Sequence, residues 1–236
     1  MSSLCICFLV LCLLKIAAAQ PLTDLIEVDA LNKIIDHWNL RSKLNLTMDP
    51  CTQNAPWAPE QANPRIACIC STTCVYMFRK IYALDISGEL PKELFLLKEL
   101  MDLNLGQNVV NGTIPAEIRQ LTKMQYLSLG INNLTGPVPP ELGSLTNLKS
   151  LSFGSNNFNG PLPPQLGNLT SLQQLYIDSN GVHGQIPQEL SNLKSLEILW
   201  ASDRFTGKLP EFFAHFMNFL VLRLEGILLE GPILNN

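Results

Sequence analysis

The stretch LKELMDLNLGQNVVNGTIP (residues 97–115) is followed by LTKMQYLSLGINNLTGPVP at 121–139, LTNLKSLSFGSNNFNGPLP at 145–163 and LTSLQQLYIDSNGVHGQIP at 169–187. Each copy starts 24 residues after the last, and outward from them Pro91, Pro115, Pro139, Pro163, Pro187 and Pro210 keep steps of 24, 24, 24, 24 and 23. Within a copy the apolar frame is fixed: Leu97, Leu100, Leu103 and Leu105, then Asn108, Val110 and Ile114. The Leu-x-Leu pairs (Leu103/Leu105, Leu127/Leu129) alternate with period two, which predicts a short strand with both leucines inward. The asparagine that follows is expected to point inward too. A buried amide is stable only when its hydrogen bonds are made, here to backbone groups of the turn and to neighbouring copies. Glycine and proline shape the convex return. One coil is too thin to bury its own leucines, so stability must come from stacking.

This frame resembles the leucine-rich repeat, and its Gly-x-Ile-Pro tail resembles the plant-specific subclass. The resemblance implies an α/β solenoid, a right-handed coil of 24-residue units over residues 74–236, about seven in number with the last truncated. Before it, residues 20–73 are expected to form an N-terminal cap. Leu22, Leu25, Ile26, Leu31, Ile34, Ile35 and Trp38 recur at helical spacing, which predicts an amphipathic helix. Trp38 and Trp57 are read as core residues.

Residues 1–19 differ from the rest. An apolar run from Leu4 to Leu14 ends in Ala17-Ala18-Ala19, a secretory signal peptide with cleavage expected after Ala19. Lys15 interrupts the run, which is too short to span a bilayer, and no later stretch reaches about 18 uninterrupted apolar residues. A secreted, extracellular chain is expected. Of seven cysteines, three leave with the leader, and Cys51, Cys68, Cys70 and Cys74 remain. In an oxidising compartment these read as two disulfides, with three connectivities open. A zinc site is disfavoured, because Cys68 and Cys70 are only one residue apart. Asn45, Asn111, Asn133 and Asn168 head Asn-x-Thr acceptor triplets for glycosylation.

The net charge of −4 and pI near 5.4 argue against a nucleic-acid partner. His37, His183 and His215 share no motif with a nucleophile or a metal ligand. No phosphate loop, zinc frame or kinase signature occurs. The chain reads as no enzyme, with no catalytic, cofactor or metal residue.

Several segments are more specific than the generic repeat: Asp36-His37-Trp38-Asn39, Asp49-Pro50-Cys51-Thr52, Asn104-Leu105-Gly106-Gln107-Asn108, Leu129-Gly130-Ile131-Asn132 and Tyr176-Ile177-Asp178-Ser179. They resemble the ectodomain of plant leucine-rich-repeat receptor-like serine/threonine kinases, in the branch with a malectin-like domain after the repeats. The resemblance implies ligand or coreceptor binding, with the membrane helix and kinase absent from these 236 residues. Three departures stand out. Arg79 falls where the first coil needs an inward apolar residue, and burying an unpaired guanidinium costs several kcal/mol, so escape of Arg79 or a distorted strand is expected. The fifth coil is one residue short, with Arg204 about where Asn108, Asn132, Asn156 and Asn180 would continue. Leu224, Leu228, Leu229, Ile233 and Leu234 should leave an apolar end exposed.

Counting along the frame puts Tyr126, Tyr176, Asp178, Trp200 and Arg223 on the concave face. The aromatics with Arg223 are expected to form one strip of hot-spot composition. The expected partner is a protein or peptide ligand or a partner receptor ectodomain, with a cell-wall glycan as a further candidate. Two rival readings are a secreted inhibitor of cell-wall-degrading enzymes and a nonfunctional truncated product.

Overall fold

The computed structural model describes residues 25–40, 65–70, 74–79, 85–201, 204–224 and 228–230, with side chains described over 26–40, 85–201 and 204–224. The first described element is helix α1 (Leu25–His37), and an antiparallel pair follows, β1 (Arg65–Cys70) and β2 (Cys74–Arg79). Short strands then come two to a coil: β3 (Ser87–Gly88), β4 (Asp102–Asn104), β5 (Val109–Gly112), β6 (Tyr126–Ser128) and β7 (Asn133–Pro137). The series continues with β8 (Ser150–Ser152), β9 (Asn157–Gly160), β10 (Gln174–Tyr176), β11 (Gly181–Gly184) and β12 (Ile198–Ala201). It ends with β13 (Arg204–Lys208), β14 (Val221–Leu224) and β15 (Leu228–Glu230).

Among the described residues the strands sort into two sheets. One runs β1-β2-β4-β6-β8-β10-β12-β14 and the other β15-β13-β11-β9-β7-β5-β3. Every pairing after the β1–β2 hairpin is parallel. Register follows the 24-residue frame in the first sheet, with Leu103, Leu127, Leu151 and Leu175 opposite one another. This is the solenoid that the repeat predicts.

Proline closes each coil. Pro91, Pro115, Pro139, Pro163, Pro187 and Pro210 each stand before a five-residue 3-10 turn, with φ between −60° and −73°. The ring fixes that φ, and the missing N–H is one the turn does not need. The proline carbonyl instead accepts the amide three residues on, as Pro115 does from Ile118 at 3.1 Å. Turns of successive coils pack closely: a Cβ on Gly167 would come within 2.3 Å of the Glu189 carbonyl oxygen.

The core is one continuous cluster of inward leucines, isoleucines and phenylalanines. Leu103, Leu105, Leu127 and Leu129 are each 1% exposed or less. The asparagines do what the frame requires. Asn132 accepts the Val110 amide at 3.0 Å, and its Nδ2 donates to the carbonyls of Leu105 (2.9 Å), Leu129 (3.0 Å) and Gly130 (3.3 Å). One side chain thus binds its own turn to the preceding coil, and Asn156 repeats the arrangement one coil on. Asn180 makes the last described rung, half-buried rather than buried. Arg204 is exposed and opens β13 opposite His183, so it continues no rung.

Helix α1 packs on the first coil through Leu31, Ile34, Ile35 and Trp38, and the Trp38 indole N–H donates to the Glu89 carbonyl at 3.3 Å. The helical spacing misjudges Ile26, which is 63% exposed. Glu27 turns inward beside it, with Oε1 3.5 Å from the Glu99 amide. Arg79 also differs from its frame position. β2 meets β4 with Phe78 opposite Leu103, so an aromatic residue takes the register position that the 24-residue step gives to Arg79. The side chains of β2, that of Arg79 among them, lie outside the described residues.

At the far end the strand apolar residues lose their cover. Leu222 pairs in register with buried Leu199, yet it is 41% exposed, beside Leu220 at 74% and Met217 at 93%. Leu224 is partly buried. The side chains of Leu228 and Leu229, and all of Ile233 and Leu234, lie outside the described residues.

Candidate functional site

Outward residues of the first sheet form parallel rows. Asp102, Tyr126, Ser150, Gln174, Ile198 and Val221 make one row, and Asn104, Ser128, Ser152, Tyr176, Trp200 and Arg223 the other. Just past the second inward residue come Gly106, Gly130 and Gly154, and at the equivalent place Asp178. Three glycines in a line leave the backbone bare. A groove of ≈ 410 Å³ lies over them, edged by Ser128, Ser152 and Ile131 and closed at one end by Tyr176, Asp178 and Trp200. Its floor amides are used inside the sheet: Gln107 donates to Gly130 and Ser155 to Asp178, at 2.9 and 2.7 Å.

The aromatic end is pre-organised. Tyr176 and Trp200 meet edge to face, centroids 5.5 Å apart at 75°. The Arg223 guanidinium lies 5.0 Å from the Trp200 ring, a cation–π contact. Aromatic pairs of this geometry stabilise by about 0.5–1.5 kcal/mol beyond their area, so the end wall is stiff before anything binds. Tyr126 does not belong to that strip. It is 45% exposed, but it stands in the other row, two coils away from Tyr176, and does not line the groove.

Among the described residues, Asp178 is the one charged side chain lining the groove. Its Oδ1 lies 2.7 Å from where a Cβ on residue 154 would sit, so the carboxylate leans over Gly154. Ser179 Oγ stands 3.4 Å from its Oδ2. Across the groove Ile131 is 54% exposed with φ at 57°. Left-handed backbone at a β-branched residue is a genuine outlier, and the sequence frame gave no warning of it, since Gln107, Ser155 and Ser179 share that conformation at the same step.

The remaining candidate residues lie elsewhere. Asn111 and Asn133 are exposed on the second sheet and are register partners there. Asn168 is exposed at the end of the 3-10 turn Pro164–Asn168. None of these three stands on the concave sheet. Cys68 and Cys70 lie on β1 and Cys74 on β2, where Cys70 and Cys74 are opposite one another in register. Their side chains, with Cys51, Asn45, Trp57 and residues 1–19, lie outside the described residues. His37, His183 and His215 are all exposed, on α1, β11 and the turn Glu211–His215 respectively.

Comparison with known proteins agrees with the geometry. The Leucine Rich Repeat family model matches residues 123–145, 147–169 and 171–193. No curated protein matches by sequence. Among solved structures, the chain is similar to the ectodomain of the plant membrane receptor kinase GASSHO1/SCHENGEN3 from Arabidopsis thaliana, in complex with CASPARIAN STRIP INTEGRITY FACTOR 2. Identity there is 37% and the TM-score 0.59, over 61% of this chain and 17% of that one. It is similar also to the plant peptide hormone receptor RGFR1 in complex with RGF2, at 28% identity and TM-score 0.55, over 61% of this chain and 27% of that one. A plant ice-binding protein shares the fold at TM-score 0.70 and 23% identity, over 88% of this chain and 73% of that one. The chain therefore spans about a sixth to a quarter of the two receptor chains. It is a solenoid of leucine-rich repeats, folded like the ectodomains of plant receptor kinases.

Proposed function

We propose that this chain is an extracellular recognition module that receives a peptide, or a segment of a partner receptor's ectodomain, in its concave groove. One observation carries the reading: a glycine-floored groove that ends against the braced Tyr176–Trp200–Arg223 cluster beside Asp178. Aromatic and arginine anchors that become desolvated against a partner are where binding energy concentrates. Two of the similar receptors are described in complex with CASPARIAN STRIP INTEGRITY FACTOR 2 and with RGF2, which favours a peptide ligand over a cell-wall glycan. Glycans on Asn111, Asn133 and Asn168 would leave this face uncovered.

Secretion through residues 1–19, two disulfides among Cys51, Cys68, Cys70 and Cys74, and the receptor-kinase branch with a malectin-like domain belong to the same reading. No helix among the described residues is long and apolar enough to cross a membrane. Sequencing the transcript past codon 236 tests the receptor assignment: an in-frame membrane helix and kinase support it, and a stop codon there removes it. Binding is tested by selecting peptides from a displayed random library on the secreted chain. Replacing Tyr176 and Trp200 together with alanine should weaken the selected peptides at least about tenfold, since hot-spot truncations cost about 2 kcal/mol or more. Unchanged binding would remove the concave face from the account.

A further inference from the structure

We infer that Val109 is the seat of an N-linked glycan carried by Asn111: the first sugar folds back along β5 and covers that exposed side chain. This rests on the secretion reading above, which supplies the glycan, and adds what the glycan does once attached.

Val109 is out of place in its frame. The 24-residue step sets it level with Asp85, Asn133, Asn157 and Gly181, so an outward position that is polar or glycine in those coils is aliphatic here. It is 42% exposed. Its register partner on β3 is Ser87, a residue too small to shade it. The core does not need it either, because the inward position belongs to buried Val110.

Strand geometry puts the acceptor beside it. Along β5, Val109 and Asn111 are exposed with Val110 buried between them, because successive side chains of a strand point to opposite faces. The two outward residues share one face, about 6.4–6.8 Å apart at the rise of a strand. Beyond Asn111 the space is taken, since a Cβ on Gly112 would meet the Glu89 side chain at 2.9 Å. That leaves the Val109 side of Asn111 for the sugar. The first sugar of an N-linked glycan is N-acetylglucosamine, which carries a C–H face and an acetamido methyl group. Laid on an aliphatic side chain, those groups and the valine leave water together.

The other described acceptors lack this seat. Two residues before Asn168 stands Leu166, which is buried in the core. Two before Asn133 stands Ile131, whose φ of 57° breaks the strand alternation, and Ile131 lines the concave groove instead. A glycan on Asn111 therefore has apolar ground to lie on that glycans on Asn133 and Asn168 do not.

The full chain, expressed in plant cells, is compared in four forms: wild type, Asn111→Gln, Val109→Ser and the two changes together. Glycopeptide masses report whether Asn111 is occupied, and thermal unfolding reports the contact. Asn111→Gln should lower the wild-type Tm by about 2–4 °C. In the Val109→Ser background the same change should lower it by less than about 1 °C, because groups in contact are not additive. Asn133→Gln should shift Tm equally with either residue at position 109. Under native conditions an N-glycosidase should release the Asn111 glycan faster from Val109→Ser than from wild type, with release at Asn133 unchanged. Equal Tm shifts in both backgrounds with equal release rates overturn the inference, and leave Val109 to some other occupant. An empty Asn111 beside an occupied Asn133 or Asn168 also overturns it, and leaves the secretion reading intact. A chain with no glycan on any of the three overturns both.

Discussion

The coils from residue 97 to 187 and the coils after 193 obey the same leucine frame but end in different states. In the first group every strand leucine is buried, and each asparagine from Asn108 to Asn156 ties its turn to a neighbour. In the second, no rung is described past Asn180, Phe205, Phe212, Phe213 and Phe216 fill the interior, and Leu222 stands 41% exposed in the register of buried Leu199. Apolar periodicity alone is therefore enough to wind a coil, but burial depends on what stacks beside it. A repeat unit has no private core.

That contrast can be broken by matched substitutions. The largest difference is expected between Leu127→Ala and Leu222→Ala, two residues at one frame position. Truncating buried Leu127 should cost about 3–4 kcal/mol, within the range for core leucines. Leu222, with much of its surface already in solvent, should cost about 1 kcal/mol or less. Chemical denaturation of the two variants measures this. Equal losses would mean that the terminal coil is as well packed as the centre.

Asn132→Ala against Arg204→Ala comes next. The first removes the side-chain acceptor of the Val110 amide in the interior, while the carbonyls of Leu105 and Leu129 keep Asn108 and Asn156 as donors, at a cost of about 1–3 kcal/mol. The second removes an exposed side chain and should stay within about 0.5 kcal/mol. Similar values would show that the asparagines bridge nothing essential. At the groove, Gly154→Ala should cost about 1 kcal/mol, because a methyl there meets Asp178 Oδ1 at 2.7 Å and its carbonyl oxygen at 3.0 Å. Asp178→Gly added to it should recover most of that loss, and a failure to recover would mean that the strain lies in the backbone. The smallest effect has the opposite sign. Ile131→Asn relieves the left-handed strain and should raise stability by about 0.5–1 kcal/mol, read as a higher Tm, while it weakens peptide binding.

Much of this was legible in residue spacing. Leu103 and Leu105, Asn108 and Pro115 each predict one feature, and each feature occurs, because a fixed period repeats the same local physics in every coil. What escaped was set by relations between segments. The frame sets Arg79 opposite Leu103, but β2 answers to its hairpin partner β1 as well as to β4, and Phe78 holds that register position instead. Ile26 follows helical spacing, yet Glu27 turns inward and leaves it in water. Tyr126 was grouped with Tyr176 and Trp200 because all three face outward. Their frame positions nevertheless differ by two, a signal present in the sequence that separates the two rows. The groove itself could have been found the same way, from Gly106, Gly130 and Gly154 at one frame position.

Hydrogen exchange of the secreted chain with and without a selected peptide tests most directly the claim that stacked coils leave their hollow side for recognition. New protection should fall within residues 126–131, 150–155 and 174–179 and at Trp200, with the second sheet and the proline turns unchanged. Protection confined to residues 109–112, 133–137 and 157–160, or to the convex turns, would contradict it.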